Sequence, residues 1–176
     1  VLLIEADDNR DGNVLELVRS GFGNSCRDFV TAVDENNVII VKELTEPEGA
    51  GEVERMAESV REFLKKEGIS GIRIAYGTTV KEIKEVSRSY KEAKMALDVG
   101  KIFFDERDII AYNELGIGRL IYQLPIPLCK MFIKEIFGGK SPDDFDEETL
   151  TTINKFFDNS LNISETSRQL FLHRNT

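Results

Sequence analysis

Tryptophan is absent from this 176-residue chain, and histidine occurs once, at His173. A single histidine leaves no candidate elsewhere for a Ser–His–Asp relay or a His-based metal site. Only two cysteines are present, Cys26 and Cys129. They lie far apart and show no metal or redox spacing, so the expectation is two free thiols in a reducing cytoplasm. Four prolines and no biased tract argue against a low-complexity chain. No apolar run approaches the ~20 residues that cross a bilayer, and no signal peptide is visible. A glycine-rich phosphate loop is also missing. Gly116-Ile117-Gly118 lacks the spacing, and Gly138-Gly139-Lys140-Ser141 has Lys134 where a Walker loop needs its upstream glycine.

What is there is a globular composition, 41% hydrophobic and 31% charged. The length can bury a core without disulfide or metal staples. The net charge of −9 argues against a general nucleic-acid coat. The charge is uneven, however. Asp143 to Asp158 holds six acids and one base, whereas Asn159 to Thr176 holds two arginines and one acid. Only the C-terminal tip is therefore suited to face phosphate. The chain opens on Val1 in a strand-like run and stops inside a helical pattern, so we expect a piece of a longer protein.

Val1 to Ile4 is a continuous apolar run, suited to a buried central strand. Asp11-Gly12-Asn13 starts a helix with Val14, Leu15, Leu17 and Val18 on its apolar side, ending near Gly21 or Gly23. Phe29–Val33 and Val38–Val41 read as a hairpin joined by Asp34-Glu35-Asn36-Asn37. Helical spacing recurs over 51–66 and stops at Gly68, and Ile72–Tyr76 is another strand. The order is βαββαβ, which predicts a ferredoxin-like α+β fold with helices on one face of an antiparallel sheet. A third helix carries Ile83, Val86, Tyr90, Ala93 and Leu97 as one stripe. A short strand at Ile109–Tyr112 follows it. Leu115–Phe137 reads as two helices broken by Pro125 and Pro127, and Gly138–Pro142 as a linker. A helix over Glu147–Phe157 is expected to bury Leu150, Ile153 and Phe157. The predicted organisation is an α+β domain over 1–114, a helical connector over 115–140 and an all-α region with a partial helix-turn-helix over 141–176.

The last fifteen residues read N-I-S-E-T-S-R-Q-L-F-L-H-R-N-T. Asn162 or Ser164 caps a short helix, Thr166 and Ser167 are small residues at its centre, and Leu170 and Leu172 are apolar anchors. His173-Arg174-Asn175-Thr176 then opens a second helix. This is the layout of a helix-turn-helix. The candidate DNA contacts are Ser164, Thr166, His173, Arg174, Asn175 and Thr176. Arg174 suits guanine or phosphate, Asn175 adenine or backbone, and Thr176 phosphate or a thymine methyl. An ordinary helix hairpin capping the core is the competing reading. Phe171 departs from the pattern, since many such turns place glycine there to reach positive φ.

This tail resembles the C-terminal helix-turn-helix of PucR/CdaR-type regulators, the sugar-diacid and purine-catabolism regulators of bacteria. Ser89-Tyr90-Lys91-Glu92-Ala93, with Ala96-Leu97 and Gly100-Lys101, resembles the last helix of the GGDEF-like domain that precedes it in that family. The resemblance implies a cytoplasmic transcription regulator. Its DNA-binding form would be a homodimer, with an effector-sensing domain outside this chain, no membrane partner and no bound cofactor. The apolar stretch Leu120–Phe137 is the candidate dimer surface. Active GGDEF domains are diguanylate cyclases that use a Gly-Gly hairpin turn and carboxylates to hold Mg²⁺. Here the turn has no glycine; Asp7 and Asp8 with Asp34 or Glu35 are a candidate metal pair, with solvated turn carboxylates as the competing reading. A degenerate, non-catalytic scaffold is therefore expected. The alternative is a nucleotide-binding sensor or remnant cyclase, which Mg²⁺ with GTP would stabilise thermally.

Overall fold

The computed structural model describes residues 1–6, 13–23, 28–44, 50–104, 106–138 and 144–172. The chain forms two compact units, Val1–Gln123 and Leu124–Thr176.

In the first unit, β1 (Leu2–Ala6), α1 (Val14–Phe22), β2 (Phe29–Ala32), β3 (Asn37–Val41), α2 (Ala50–Lys66) and β4 (Ile72–Tyr76) reproduce the βαββαβ order. The sheet runs β2-β3-β1-β4-β5, with β5 at Ile109–Ala111. The first four strands pair antiparallel. β5 pairs parallel with β4, reached through α3 (Val86–Phe103). The ferredoxin-like core is thus present with one further crossover on its β4 edge.

The expectation of helices on one face is corrected. Leu2, Ile4 and Ala6 of β1 join Val14 and Val18 of α1 and Val53, Ala57, Val60 and Leu64 of α2 in one core. Leu3 turns the other way, into a second core with Ala93, Ala96 and Leu97 of α3. All five residues of β1 are buried. A strand covered on both faces reads as an apolar run rather than an alternation, and β1 opens with such a run, Leu2–Ile4. Its one acid, Glu5, is 9% exposed on the α3 side and is ion-paired with Lys101.

α3 comes close to the sheet because its inner face is small: Ser89, Ala93, Ala96 and Gly100 are all buried. The expected apolar stripe holds from Val86 onward but not at Ile83, which is 85% exposed. Ile83 sits in a 3-10 turn, Ile83–Glu85, whose tighter winding rotates it away from the α3 face.

Leu115, fully buried in the second core, carries this unit beyond residue 114. α4 (Gly118–Tyr122) packs on α3, with the Tyr122 hydroxyl 3.1 Å from Asp98 Oδ2. The break at the prolines is where it was expected. Pro125 precedes α5 (Ile126–Phe137), and Gly138 ends it in the left-handed conformation.

The second unit continues with α6 (Glu147–Asp158) and α7 (Ile163–Gln169). Asp146 caps α6 by accepting from the Thr149 backbone N–H at 2.7 Å. Leu150, Ile153 and Phe157 are not buried as expected; Phe157 is 66% exposed. The seven-residue α7 is too short to cover the apolar side of a twelve-residue helix. No described helix is long and apolar enough to cross a membrane.

Candidate functional site

Two places in the chain carry functional expectations. One is the α6–α7 corner. α6 ends with Ser160 and Leu161 at φ 52° and 64°. The Leu161 N–H donates to the Phe156 carbonyl and the Ser160 N–H to the Phe157 carbonyl, which together make a Schellman closure. The chain turns at once into α7, whose N-cap is Asn162: its Oδ1 accepts from the Glu165 N–H at 3.1 Å. α7 ends with the same closure. The Leu172 N–H donates to the Ser167 carbonyl at 2.9 Å and the Phe171 N–H to the Arg168 carbonyl at 3.4 Å. Phe171 takes φ 55°.

A polar joint locks the two helices. Asn159 and Gln169 exchange side-chain amide bonds at 3.3 and 3.1 Å. The Thr166 hydroxyl donates to the Asn162 carbonyl at 2.9 Å and accepts from Asn159 Nδ2 at 3.3 Å. Glu165 takes both Arg168 and Gln169. Those bonds hold its carboxyl below the usual range.

The other place is the β2–β3 hairpin, at the end of the sheet where β1 finishes. Asp34 Oδ1 accepts from the backbone N–H groups of Asn36 and Asn37, both at 2.9 Å. Asn37 Nδ2 donates to both Asp34 oxygens, at 2.8 and 2.9 Å. The Asn37 amide is the chief reason the Asp34 carboxyl sits below the usual range. The Asn36 carbonyl accepts from the Ala6 N–H at 3.1 Å, docking the turn on β1. Asp34 is thus spent on building its own turn, in which no glycine occurs.

Residues 1–99, which hold the first four strands, this hairpin and most of α3, match the family model described as the GGDEF-like domain. The chain belongs to the GGDEF-like domain family. No curated protein matches it.

The GGDEF-like domain leaves the expected DNA-contact residues to the second unit. Ser164 is exposed on the first turn of α7. Thr166 is 6% exposed, and its hydroxyl is spent inside the α6–α7 joint, so it supports the corner rather than a surface. His173, Arg174, Asn175 and Thr176 lie outside the described residues, as do Asp7 and Asp8. The Asn159–Gln169 pairing spans ten residues, which no local sequence pattern signals.

Phe171 offers a direct check on this corner. It is 95% exposed and held in a left-handed conformation that disfavours a Cβ. Phe171→Gly is expected to stabilise the C-terminal unit by about 0.5–1 kcal/mol, read as a higher urea midpoint. Phe171→Ala should change little, since almost no packing is lost and the strain remains.

Proposed function

We propose that this chain is part of a DNA-binding transcription regulator of the PucR/CdaR type. In this reading the GGDEF-like domain is a non-catalytic scaffold. It links an effector-sensing domain outside the chain to a helix-turn-helix that reads DNA. The observation that carries the proposal is the α6–α7 corner. A capped short helix closes on a left-handed Phe171, and the chain passes directly into His173-Arg174-Asn175-Thr176. A sharp turn of this kind between a supporting helix and a polar second helix is how a recognition helix is aimed into the major groove. Arg174 and Asn175 are the residues we assign to base edges, with His173, Thr176 and the exposed Ser164 on phosphate. Thr166 is assigned to the joint instead. The occupied Asp34 turn supports the scaffold role over nucleotide turnover.

The test is fluorescence anisotropy on the promoter region of the parent gene, at one fixed salt concentration because phosphate-driven affinity is salt-dependent. The protein would be a form extended past Thr176 by its own coding sequence. Arg174→Ala is expected to weaken binding by about 1–3 kcal/mol. Equal binding by the variant, or none by the extended parent, counts against this reading.

A further inference from the structure

At the end of the sheet opposite the Asp34 turn, β1 begins, β3 ends and β4 passes into the segment that leads to α3. These elements and α2 enclose a cleft of about 720 Å³. Its buried lining is apolar: Leu2 and Val53 are 1% and 7% exposed, and Val41 is half-buried. Two large apolar side chains also line it and stand in solvent. Phe29, at the start of β2, is 62% exposed, and Ile83, ahead of α3, is 85% exposed. A lone exposed apolar side chain is ordinary, but two from separate elements lining one cleft mark a surface suited to a ligand.

Most of the charge along the cleft is already engaged. Lys42 pairs with the buried Asp28 at 2.7 Å, and Glu82 pairs with Lys84 at 2.7 Å. Glu43 is engaged as well. The Val1 amine donates to the buried Ser89 hydroxyl at 3.1 Å. Lys81 is the exception. It lines the cleft, is exposed, and has no ion-pair partner among the described residues.

We propose that this cleft binds a small amphipathic carboxylate, an apolar chain or ring carrying one negative charge. The apolar body lies against Leu2, Val53, Phe29 and Ile83, and the carboxylate meets the Lys81 ammonium. The volume falls in the range of small-molecule sites, roughly 300–1,000 Å³. A single flexible ammonium is a point charge, which a monoanion neutralises. A phosphate brings more charge and more acceptors than this lining answers, and no arginine is among its described residues. The site belongs to the GGDEF-like domain itself and does not rest on the DNA-reading proposal.

The test is a titration of the 176-residue chain with octanoate, followed by the methyl resonances of Leu2, Val41, Val53 and Ile83. Saturable shifts at these methyls are expected, with octylammonium bound several-fold more weakly. Added salt should narrow that preference, because exposed charges are screened. Lys81→Glu should weaken octanoate roughly three- to tenfold and turn the preference toward octylammonium. Ile83→Ser should weaken both ligands alike. Both side chains are exposed, so neither variant threatens the fold. Equal affinity for the two ligands, or a Lys81→Glu variant that binds octanoate as the parent does, overturns the proposal. So do shifts confined to α5, whose exposed apolar side chains are the competing place for an octyl chain. The titration is repeated on a form extended ahead of Val1 by its own coding sequence. Retained shifts support the site, whereas their loss gives the cleft to the chain's own residues and overturns it. With no DNA in the sample, failure of the DNA-reading proposal leaves this result untouched.

Discussion

Gly77→Ala is expected to destabilise the first unit by about 3 kcal/mol or more, a large share of the stability of an ordinary domain. Gly77 follows β4 directly beneath α3. A Cβ built on it would lie 2.0 Å from the Ser89 carbonyl oxygen and 2.8 Å from the carbonyl carbon. Both are backbone atoms of Ser89, a fully buried residue of α3, so no side-chain rotation relieves the overlap. α3 would have to lift. Lifting α3 would break the clamp around Gly77: the Ser89 hydroxyl donates to the Thr78 carbonyl at 2.8 Å, and the Thr78 N–H donates to Glu92 Oε2 at 2.8 Å. Gly100→Ala is the control. Its Cβ would also meet an atom at 2.0 Å, but that atom is Ile110 Cδ1, the end of a flexible side chain. About 1–2 kcal/mol is expected there. Urea unfolding followed by circular dichroism measures both. Equal costs for the two variants would mean that α3 sits more loosely on the sheet than these distances state.

Leu3→Ala and Ile4→Ala are each expected to cost about 2–5 kcal/mol. The residues are neighbours in β1, 1% and 0% exposed, and they point into different cores. Ile4 packs among residues of α1, α2 and the sheet, and Leu3 among residues of α3. Because the two side chains share no cluster, the double variant should lose nearly the sum of the single losses. A sheet covered on one face predicts a large effect at Ile4 and a small one at Leu3. A negligible loss for Leu3→Ala would therefore overturn the three-layer packing described here.

Much of the first unit was legible from local pattern. The hairpin between Phe29 and Val41, the helix over 51–66 and the strand at Ile72–Tyr76 all lie where periodicity put them. The C-terminal corner was legible in its parts. Asn162 is one of the two caps the sequence offers, and Phe171, standing where such turns place glycine, has the positive φ that position implies. Other features left no trace. Thr166 reads as a small helix-surface residue, and only its neighbours across the α6–α7 turn reveal that it is buried. Ile83 fits a helical stripe by spacing, yet the 3-10 turn puts it in solvent.

The sequence by itself determined the order and type of elements, because hydrophobic period, capping residues and glycines act within a few residues along the chain. It also determined that the hairpin turn would be built from Asp34 and asparagines, since the absence of glycine there is a local fact. Only the tertiary structure decided that both faces of the sheet are covered. The apolar run Val1–Ile4 has no polar position to mark which side is solvent, so Leu3 and Ile4 look alike until α3 is placed. Where the first unit ends was also a tertiary matter. Leu115 and α4 belong with α3 because of what they touch, and contact between distant segments is not written in any local pattern.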